Sequence, residues 1–198
     1  GINAEYGEMS THKHLDWKKL NNVLKYGNNP QEEAWRKQEW QILDFNHNDY
    51  VSLSEFESWV MHFLPEFFEG DGNQYKMAFR YAYNRARLIS KVSKNTAMRK
   101  KQLFDDYLTW EEFRPMLKLT RMFLEVYAMF DELDASGNKK ITREEFLASQ
   151  KRLLAWGAKP GDFSEYFGQL DKNGSGAIMF DEFLLFALEH DLQHDEDK

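Results

Sequence analysis

Large apolar residues recur along the chain at helical spacing. Trp40 with Leu43, Phe130 with Leu133 and Phe167 with Leu170 stand three apart, which puts each pair on one helix face. Four times a Glu is followed at once by Phe: Glu55-Phe56, Glu112-Phe113, Glu145-Phe146 and Glu182-Phe183. Four residues before each Glu stands a β-compatible apolar residue, Val51, Leu108, Ile141 or Ile178, and eleven before it stands Asp44, Lys101, Asp134 or Asp171. The repeat predicts four units, each an amphipathic helix, a twelve-residue loop and a second amphipathic helix. The loop starts are 57, 33 and 37 residues apart. The first interval therefore carries an insertion of roughly twenty residues relative to stacked helical units, between Phe68 and Lys101. No strand-length run alternates with period two. The only β structure expected is a short pairing between loops, Val51 with Leu108 and Ile141 with Ile178.

Capping signals agree with this placement. Asn29-Pro30-Gln31-Glu32-Glu33 supplies a capping side chain, a first-turn proline and acids at the positive end of a helix. Ser52-x-x-Glu55, Thr109-x-x-Glu112 and Thr142-x-x-Glu145 are capping boxes for the outgoing helices. Trp156-Gly157 reads as a helix stop, with Gly just past the end. An additional N-terminal helix is expected from about Met9 to Tyr26, packed through Leu15, Leu20 and Leu24.

The loops have the donor chemistry of a hard-cation cage. Ca2+ takes six to eight oxygens at about 2.3–2.6 Å, and a twelve-residue loop supplies them from positions 1, 3, 5, 7, 9 and 12. In loop 171–182 the candidates are Asp171, Asn173, Ser175, the Ala177 carbonyl and Glu182, with Gly176 at the sharp turn; Met179 leaves position 9 to water. Loop 44–55 offers Asp44, Asn46, Asn48, the Tyr50 carbonyl, Ser52 and Glu55, with Asp49 in place of the preferred Gly. Loop 134–145 offers Asp134, Ser136, Asn138, the Lys140 carbonyl, Thr142 and Glu145, but Lys139 occupies the turn and two lysines crowd the cation, so it ranks third on spacing chemistry. In loop 101–112, Lys101 and Leu103 stand where ligands are needed, so it reads as a dead loop kept as the structural partner of the first. Each live loop has only two carboxylates at ligating positions. That ligand charge points to roughly micromolar or weaker affinity. Mg2+ could enter the same loops.

Composition narrows the class. Hydrophobic residues are 42%, charged 30% and aromatic 16% of 198 residues, an ordinary folded balance, and the net charge of −7 argues against a nucleic-acid binder. Cys is absent, excluding disulfides, thiolate zinc sites, thiol catalysis and palmitoylation. No run approaches the ~18–20 apolar residues that cross a bilayer, and Gly1 to Ser10 lack the apolar core of a secretory signal. These readings favour a soluble, acidic, intracellular protein. No phosphate loop, nucleophile elbow or paired-acid set appears, so an enzyme is not expected. His12, His14 and Asp16 are read as solvated, and His47 falls at a non-ligand loop position.

With these loops the chain is identified as a member of the EF-hand superfamily, and its second half resembles the flagellar calcium-binding proteins of trypanosomatids, the calflagins. The stretch that carries the likeness runs from about Tyr127 to Ala187. It includes Tyr127-Ala-Met-Phe130-Asp131-Glu132-Leu133-Asp134, Leu154-Ala-Trp156-Gly157, Asp171-Lys-Asn173-Gly174-Ser175-Gly176 and Phe180-Asp181-Glu182-Phe183. The resemblance implies a four-unit calcium sensor at the flagellar or ciliary membrane in which the last two loops are the working sites. That would raise loop 134–145 above its third-place ranking. The family's anchor is a myristoyl group with a nearby palmitoylated Cys. Gly1-Ile-Asn-Ala-Glu5 lacks the Ser or Thr that the myristoylation signal prefers, and no Cys is present, so a dual-lipid anchor is not expected.

The resulting expectation is an all-α, two-lobe EF-hand protein of four helix-loop-helix units, one of them degenerate, with an N-terminal helix. Residues 1–29 form the N-terminal extension, 30–118 the first pair with its basic insert, 119–190 the second pair and 191–198 an acidic tail. The expected function is calcium sensing, with cation binding reorganising helices to alter a partner contact. A calcium buffer and a calcium-independent component of a cilium or axoneme are the alternatives. The partner would be a protein or an anionic membrane surface met by the basic segment from Lys76 to Lys101, where nine basic residues occur without an acid up to Phe104.

Overall fold

The computed structural model describes residues 15–68, 75–93 and 107–194, with the side chains of 88–93 outside that description. The dead loop's Lys101 and Leu103 and most of the basic stretch beyond Arg87 lie outside the described residues. The fold is all-α and EF-hand-like. In chain order it comprises α1 (Trp17–Val23), α2 (Pro30–Leu43), α3 (Leu53–Phe63), a 3-10 turn (Pro65–Phe67), α4 (Lys76–Ser93), α5 (Trp110–Leu133), β1 (Ile141–Thr142), α6 (Arg143–Ala148), α7 (Gln150–Ala155), α8 (Phe163–Leu170), β2 (Ala177–Ile178) and α9 (Phe180–His190). The chain divides into two compact units, Asp16–Tyr127 and Ala128–Lys198 with Gly1–Leu15.

The loop pairings fall where the repeat placed them. β1 and β2 are antiparallel with Ile141 opposite Ile178, and Val51 bridges Leu108 antiparallel. All four apolar residues are buried. Caps follow the sequence as well. Asn29 Oδ1 accepts the Glu32 N–H, and Ser52/Glu55 and Thr142/Glu145 close complete capping boxes. The box at Thr109 is half made. Glu112 Oε2 accepts the Thr109 N–H at 2.9 Å, but the Thr109 hydroxyl is buried without a hydrogen bond. The outgoing helix after loop 134–145 is broken into α6 and α7 at Ser149, whose N–H donates to both the Glu145 and Phe146 carbonyls.

In the unit Asp16–Tyr127 the core is aromatic. Phe56 stacks on Trp59 and on Tyr83, with centroids 6.1 and 5.8 Å apart. The Tyr83 hydroxyl donates to the Val51 carbonyl at 2.8 Å, so α4 braces the bridge between loops 44–55 and 101–112. Burial pushes this phenol far above its ordinary pKa. The inserted helix is thus part of the core: Ala78, Phe79, Ala82, Tyr83 and Ala86 are all buried.

α1 is only 7 residues long and begins at Trp17, with residues 9–14 outside the described residues. A helix so short is marginal in water, and here Leu20, Val23 and Leu24 are buried. The carbonyls of the segment that follows it are met by arginines, Arg36 Nη1 donating to Lys25 O and Gly27 O, and Arg114 Nε to Tyr26 O.

A polar contact inside this core gives a clean test. Trp59 Nε1 donates at 2.8 Å to Glu39 Oε2, and both side chains are buried. Trp59→Phe strands the carboxylate and is expected to cost about 1–3 kcal/mol in chemical denaturation, whereas the pair Trp59→Phe with Glu39→Leu removes both partners and should recover most of that loss.

In the unit Ala128–Lys198, Phe146 is fully buried against Phe163, Phe167 and Phe186, at 5.9, 6.0 and 5.7 Å between ring centroids. α9 ends at Asp191 in the left-handed region (φ 54°), and the chain folds back: Leu192 N–H donates to Ala187 O, and Gln193 N–H to Trp156 O. His194 Nε2 lies 2.5 Å from Glu132 Oε1, with its ring over Trp156. His190 Nδ1 accepts the Lys159 N–H at 2.9 Å.

Burial, and then the charge of Lys159, depress the His190 pKa below its ordinary 6.5; Glu189 opposes this weakly. Its other neighbours are the rings of Tyr166 and Phe186. The unfolded chain takes up this proton first, so His190's contribution is intact above about pH 6.5 and is lost as pH falls through the depressed value. Denaturation at about pH 7.5 and pH 5.5 should show lower stability in acid, and His190→Gln should narrow that difference.

Candidate metal centre

Each of the three candidate loops is closed on itself by hydrogen bonds to side-chain oxygens, and the three share one plan. The first Asp accepts backbone N–H bonds from positions 5 and 6. Asp44 takes Asn48 and Asp49 at 3.0 and 2.9 Å, Asp134 takes Asn138 and Lys139 at 3.1 and 2.6 Å, and Asp171 takes Ser175 and Gly176, both at 2.8 Å. Those N–H groups can reach the Asp only if the turn residue adopts positive φ. Asp49 (65°), Lys139 (64°) and Gly176 (80°) all do so, and only the last is a glycine.

The last residue closes the ring from the other side. Glu55, Glu145 and Glu182 each accept the backbone N–H of position 9 on Oε2, at 2.8, 2.8 and 2.9 Å. Their Oε1 atoms face position 3: Asn46 and Asn173 donate Nδ2 to Glu55 and Glu182, both at 3.3 Å, and Ser136 donates its N–H to Glu145 at 2.9 Å. Position 5 points inward too, with Asn48 Oδ1 and Asn138 Oδ1 each accepting the N–H of position 7, Tyr50 or Lys140. In loop 171–182 the Ser175 hydroxyl instead donates to the Ala177 carbonyl at 2.8 Å. In each loop the residues at positions 1, 3, 5, 9 and 12 that the sequence singled out are therefore linked by these hydrogen bonds, except that Met179 at position 9 contributes only its N–H.

Electrostatics favour a cation here. Asp44 and Asp134 are buried acids whose charge is met only by N–H and O–H dipoles in the hydrogen bonds described. Burial by itself would raise the Glu145 pKa, but donors from Thr142 and Ser136 outweigh it and hold the carboxyl below its ordinary range. Lys139 and Lys140 are exposed, with no ion pair to the loop acids among the described residues. Ser52 and Thr142 at position 9 have their hydroxyls engaged with the terminal Glu; Met179 offers none.

Among the described residues no group of three or more His, Cys, Asp or Glu side chains gathers as a metal cluster. That fits the donor set, which in each loop is two acids with amide, hydroxyl and carbonyl oxygens. Such an all-oxygen set suits Ca2+ or Mg2+ and is unsuited to softer metals.

Sequence reasoning passed over several residues near the loops. Glu132 meets Arg152 and His194, 20 and 62 residues away, and Lys159 meets His190, 31 residues away, and only Trp156-Gly157 signalled that anything happens there. The basic segment also differs from a bare cationic face. Arg80 Nε lies 2.7 Å and Lys76 Nζ 3.7 Å from the Glu57 carboxylate, so one acid of the unit is shared by two of its cations.

No protein-family model matches the chain. It is 39% identical over 116 residues to the flagellar calcium-binding protein of Trypanosoma cruzi, covering 59% of this chain and 52% of that one. It is 35% identical over 89 residues to the flagellar calcium-binding proteins TB-24 and TB-1.7G of Trypanosoma brucei brucei, covering 45% of this chain and 41% and 39% of theirs. The chain spans about half the length, or less, of these curated relatives. A solved chain of the Chaetomium theromophilum TREX2 CID domain complex aligns over 83% of this chain and 92% of its own at 20% identity, but its TM-score of 0.26 is too low to bear on the fold. No helix among the described residues is long and apolar enough to cross a membrane. By sequence the chain is similar to the flagellar calcium-binding proteins of trypanosomes.

Proposed function

We propose that this chain binds Ca2+ through loops 44–55, 134–145 and 171–182 and acts as a flagellar or ciliary calcium sensor. The observation that carries the reading is the threefold recurrence of one oxygen ring, with Asp at position 1 and Glu at position 12 closing on the same backbone groups each time. The names of the relatives support calcium and the flagellum as the context. When bound, Ca2+ would supply the positive charge that these inward oxygens lack. The chain's own residues orient the ring: capping boxes fix each terminal Glu, and the short pairings Val51–Leu108 and Ile141–Ile178 register one loop of each pair against the other.

The binding reading is tested by calorimetry of the full chain with Ca2+ and separately with Mg2+. Three sites of roughly micromolar or weaker affinity are expected for Ca2+; nanomolar sites would indicate a buffer, and no uptake at millimolar calcium would remove the reading. A sensor should also expose apolar surface with calcium, read as rising dye fluorescence, whereas a buffer would not. The partner contact we place on the basic segment from Lys76 to Lys101, in which Arg85 is exposed, as a surface for anionic lipid or an acidic protein. Charge-neutral substitution there that leaves binding to anionic vesicles and acidic peptides unchanged would sink that assignment.

A further inference from the structure

The turn after α7 and the end of α9 are joined by more hydrogen bonds than a passing contact needs. Gln193 N–H donates to Trp156 O at 2.9 Å, Lys159 N–H to His190 Nδ1 at 2.9 Å, and Lys159 Nζ to Glu189 O at 3.0 Å. His194 reaches Glu132, which is also held by Arg152 Nη1 through its carbonyl at 3.3 Å and its carboxylate at 3.5 Å. Leu192 and His194 are buried, and the His194 ring lies 5.7 Å from Trp156. Gly157 has φ 110°, which strains any other residue, and a Cβ there would sit 3.6 Å from Asp191 O.

The elements that meet there belong to both loops. Glu132 is in the last turn of α5, two residues before Asp134, the first oxygen donor of loop 134–145. Trp156 to Lys159 follow α7, which continues α6 away from Glu145. His190 and His194 terminate α9, which leaves loop 171–182 at Glu182. α9 has 11 residues, so about 16 Å of helix separates its loop end from this junction. At the loop end the two halves share β1 and β2, two residues each, and further in Phe146 of α6 packs on Phe163 and Phe167 of α8 and Phe186 of α9.

We propose that residues 190–194, with Lys159 and Glu132, form a latch that strengthens the interdependence of cation binding at loop 134–145 and at loop 171–182. This rests on the calcium reading above. Without the latch, the far ends of α7 and α9 are joined to each other through the ring packing and the β ribbon rather than directly. Tied at both ends, a movement of α9 draws on the exit of α7 and the entry helix α5, so a change at one loop is felt at the other. Coupling of this kind is reciprocal: each loop alters the other's affinity by the same factor. Lys159, His190 and His194 are positioning residues and touch no cation.

The experiment is calcium calorimetry of the full chain as Glu145→Gln and as Glu182→Gln, each in the parent and with His194→Ala or Lys159→Ala added. In the parent, disabling either loop should weaken the other by about 5-fold or more. With His194→Ala or Lys159→Ala that cross-loop factor should shrink at least threefold. His194→Gln, which keeps a side-chain N–H for Glu132, should restore much of it. A latch that only held the fold together would lower the melting temperature and leave the cross-loop factor unchanged, and that result overturns the proposal. A parent chain that takes up calcium in neither loop overturns the calcium reading itself, and the latch proposal with it.

Discussion

Glu145→Gln is expected to weaken calcium binding at loop 134–145 by about 100-fold, or ~2.7 kcal/mol, while leaving the chain folded. The two effects separate because Glu145 has two jobs. Its Oε2 accepts the N–H and hydroxyl of Thr142 at the start of α6, and its Oε1 takes the Ser136 N–H from across the loop. A capping box works with Gln as well as Glu at this position. The amide oxygen can still accept from Thr142, so the start of α6 survives. What is lost is one of the loop's two ligating carboxylates and its full negative charge, with an NH2 turned toward a cation in place of an oxygen. Far-ultraviolet circular dichroism without calcium should be unchanged and the calorimetric site lost or greatly weakened. If Glu145→Gln binds calcium as the parent does, Glu145 is a cap only and the oxygen ring is not the site.

Lys139 and Lys140 bear on the same loop. Counting charges along the sequence ranked it third, because two lysines sit at its turn. Both side chains are exposed, and Lys139 contributes its N–H to Asp134 while adopting the positive φ that the turn demands. A linear sequence states the residue at position 6 but not which way its side chain leaves the ring. The positions whose role is fixed by spacing alone were legible: first Asp, last Glu, the apolar bridge residues and the Ser52 and Thr142 caps all sit where period and capping rules placed them. Apart from the bridges, which join residues 57 and 37 positions apart but recur at one place in every repeat, each of those depends on neighbours within twelve residues.

The features that escaped depend on distant partners. Arg36 is buried because it serves carbonyls 9 and 11 residues away, and Glu39 is buried because Trp59 lies 20 residues on. Nothing local distinguishes them from the solvated charges of an ordinary helix face. The packing of the basic insert was hidden for the same reason. Its charges dominate the sequence, yet the spacing of Ala78, Phe79, Ala82, Tyr83 and Ala86 decides where the helix goes, and Glu57 on α3 meets the first two exposed cations. The latch residues are spread from 132 to 194, and only the positive-φ Gly157 left a local trace.

Phe146→Ala should be the most destabilising single core change in the unit Ala128–Lys198, at about 3–5 kcal/mol by analogy with other Phe truncations. Phe146 is fully buried and follows Glu145 directly, so one turn of α6 holds both the loop's last acid and the ring on which the helices converge. Three other phenylalanine rings lie within 6.0 Å of it, from α8 and α9. Stiff neighbours on several sides collapse poorly into a void, which places the cost toward the upper part of that range. A domain's total stability is about 5–15 kcal/mol, so the variant should sit near its unfolding threshold without metal. Calcium at 100 times its dissociation constant returns about 2.7 kcal/mol per site if the unfolded chain does not bind. Phe146→Ala should therefore look nearly native in saturating calcium and largely unfolded in chelator, a dependence much steeper than the parent's. Urea denaturation with and without calcium measures both quantities. A loss below about 1 kcal/mol would mean that the site refills after truncation and that these rings are not the close-packed centre that couples the loops to the fold.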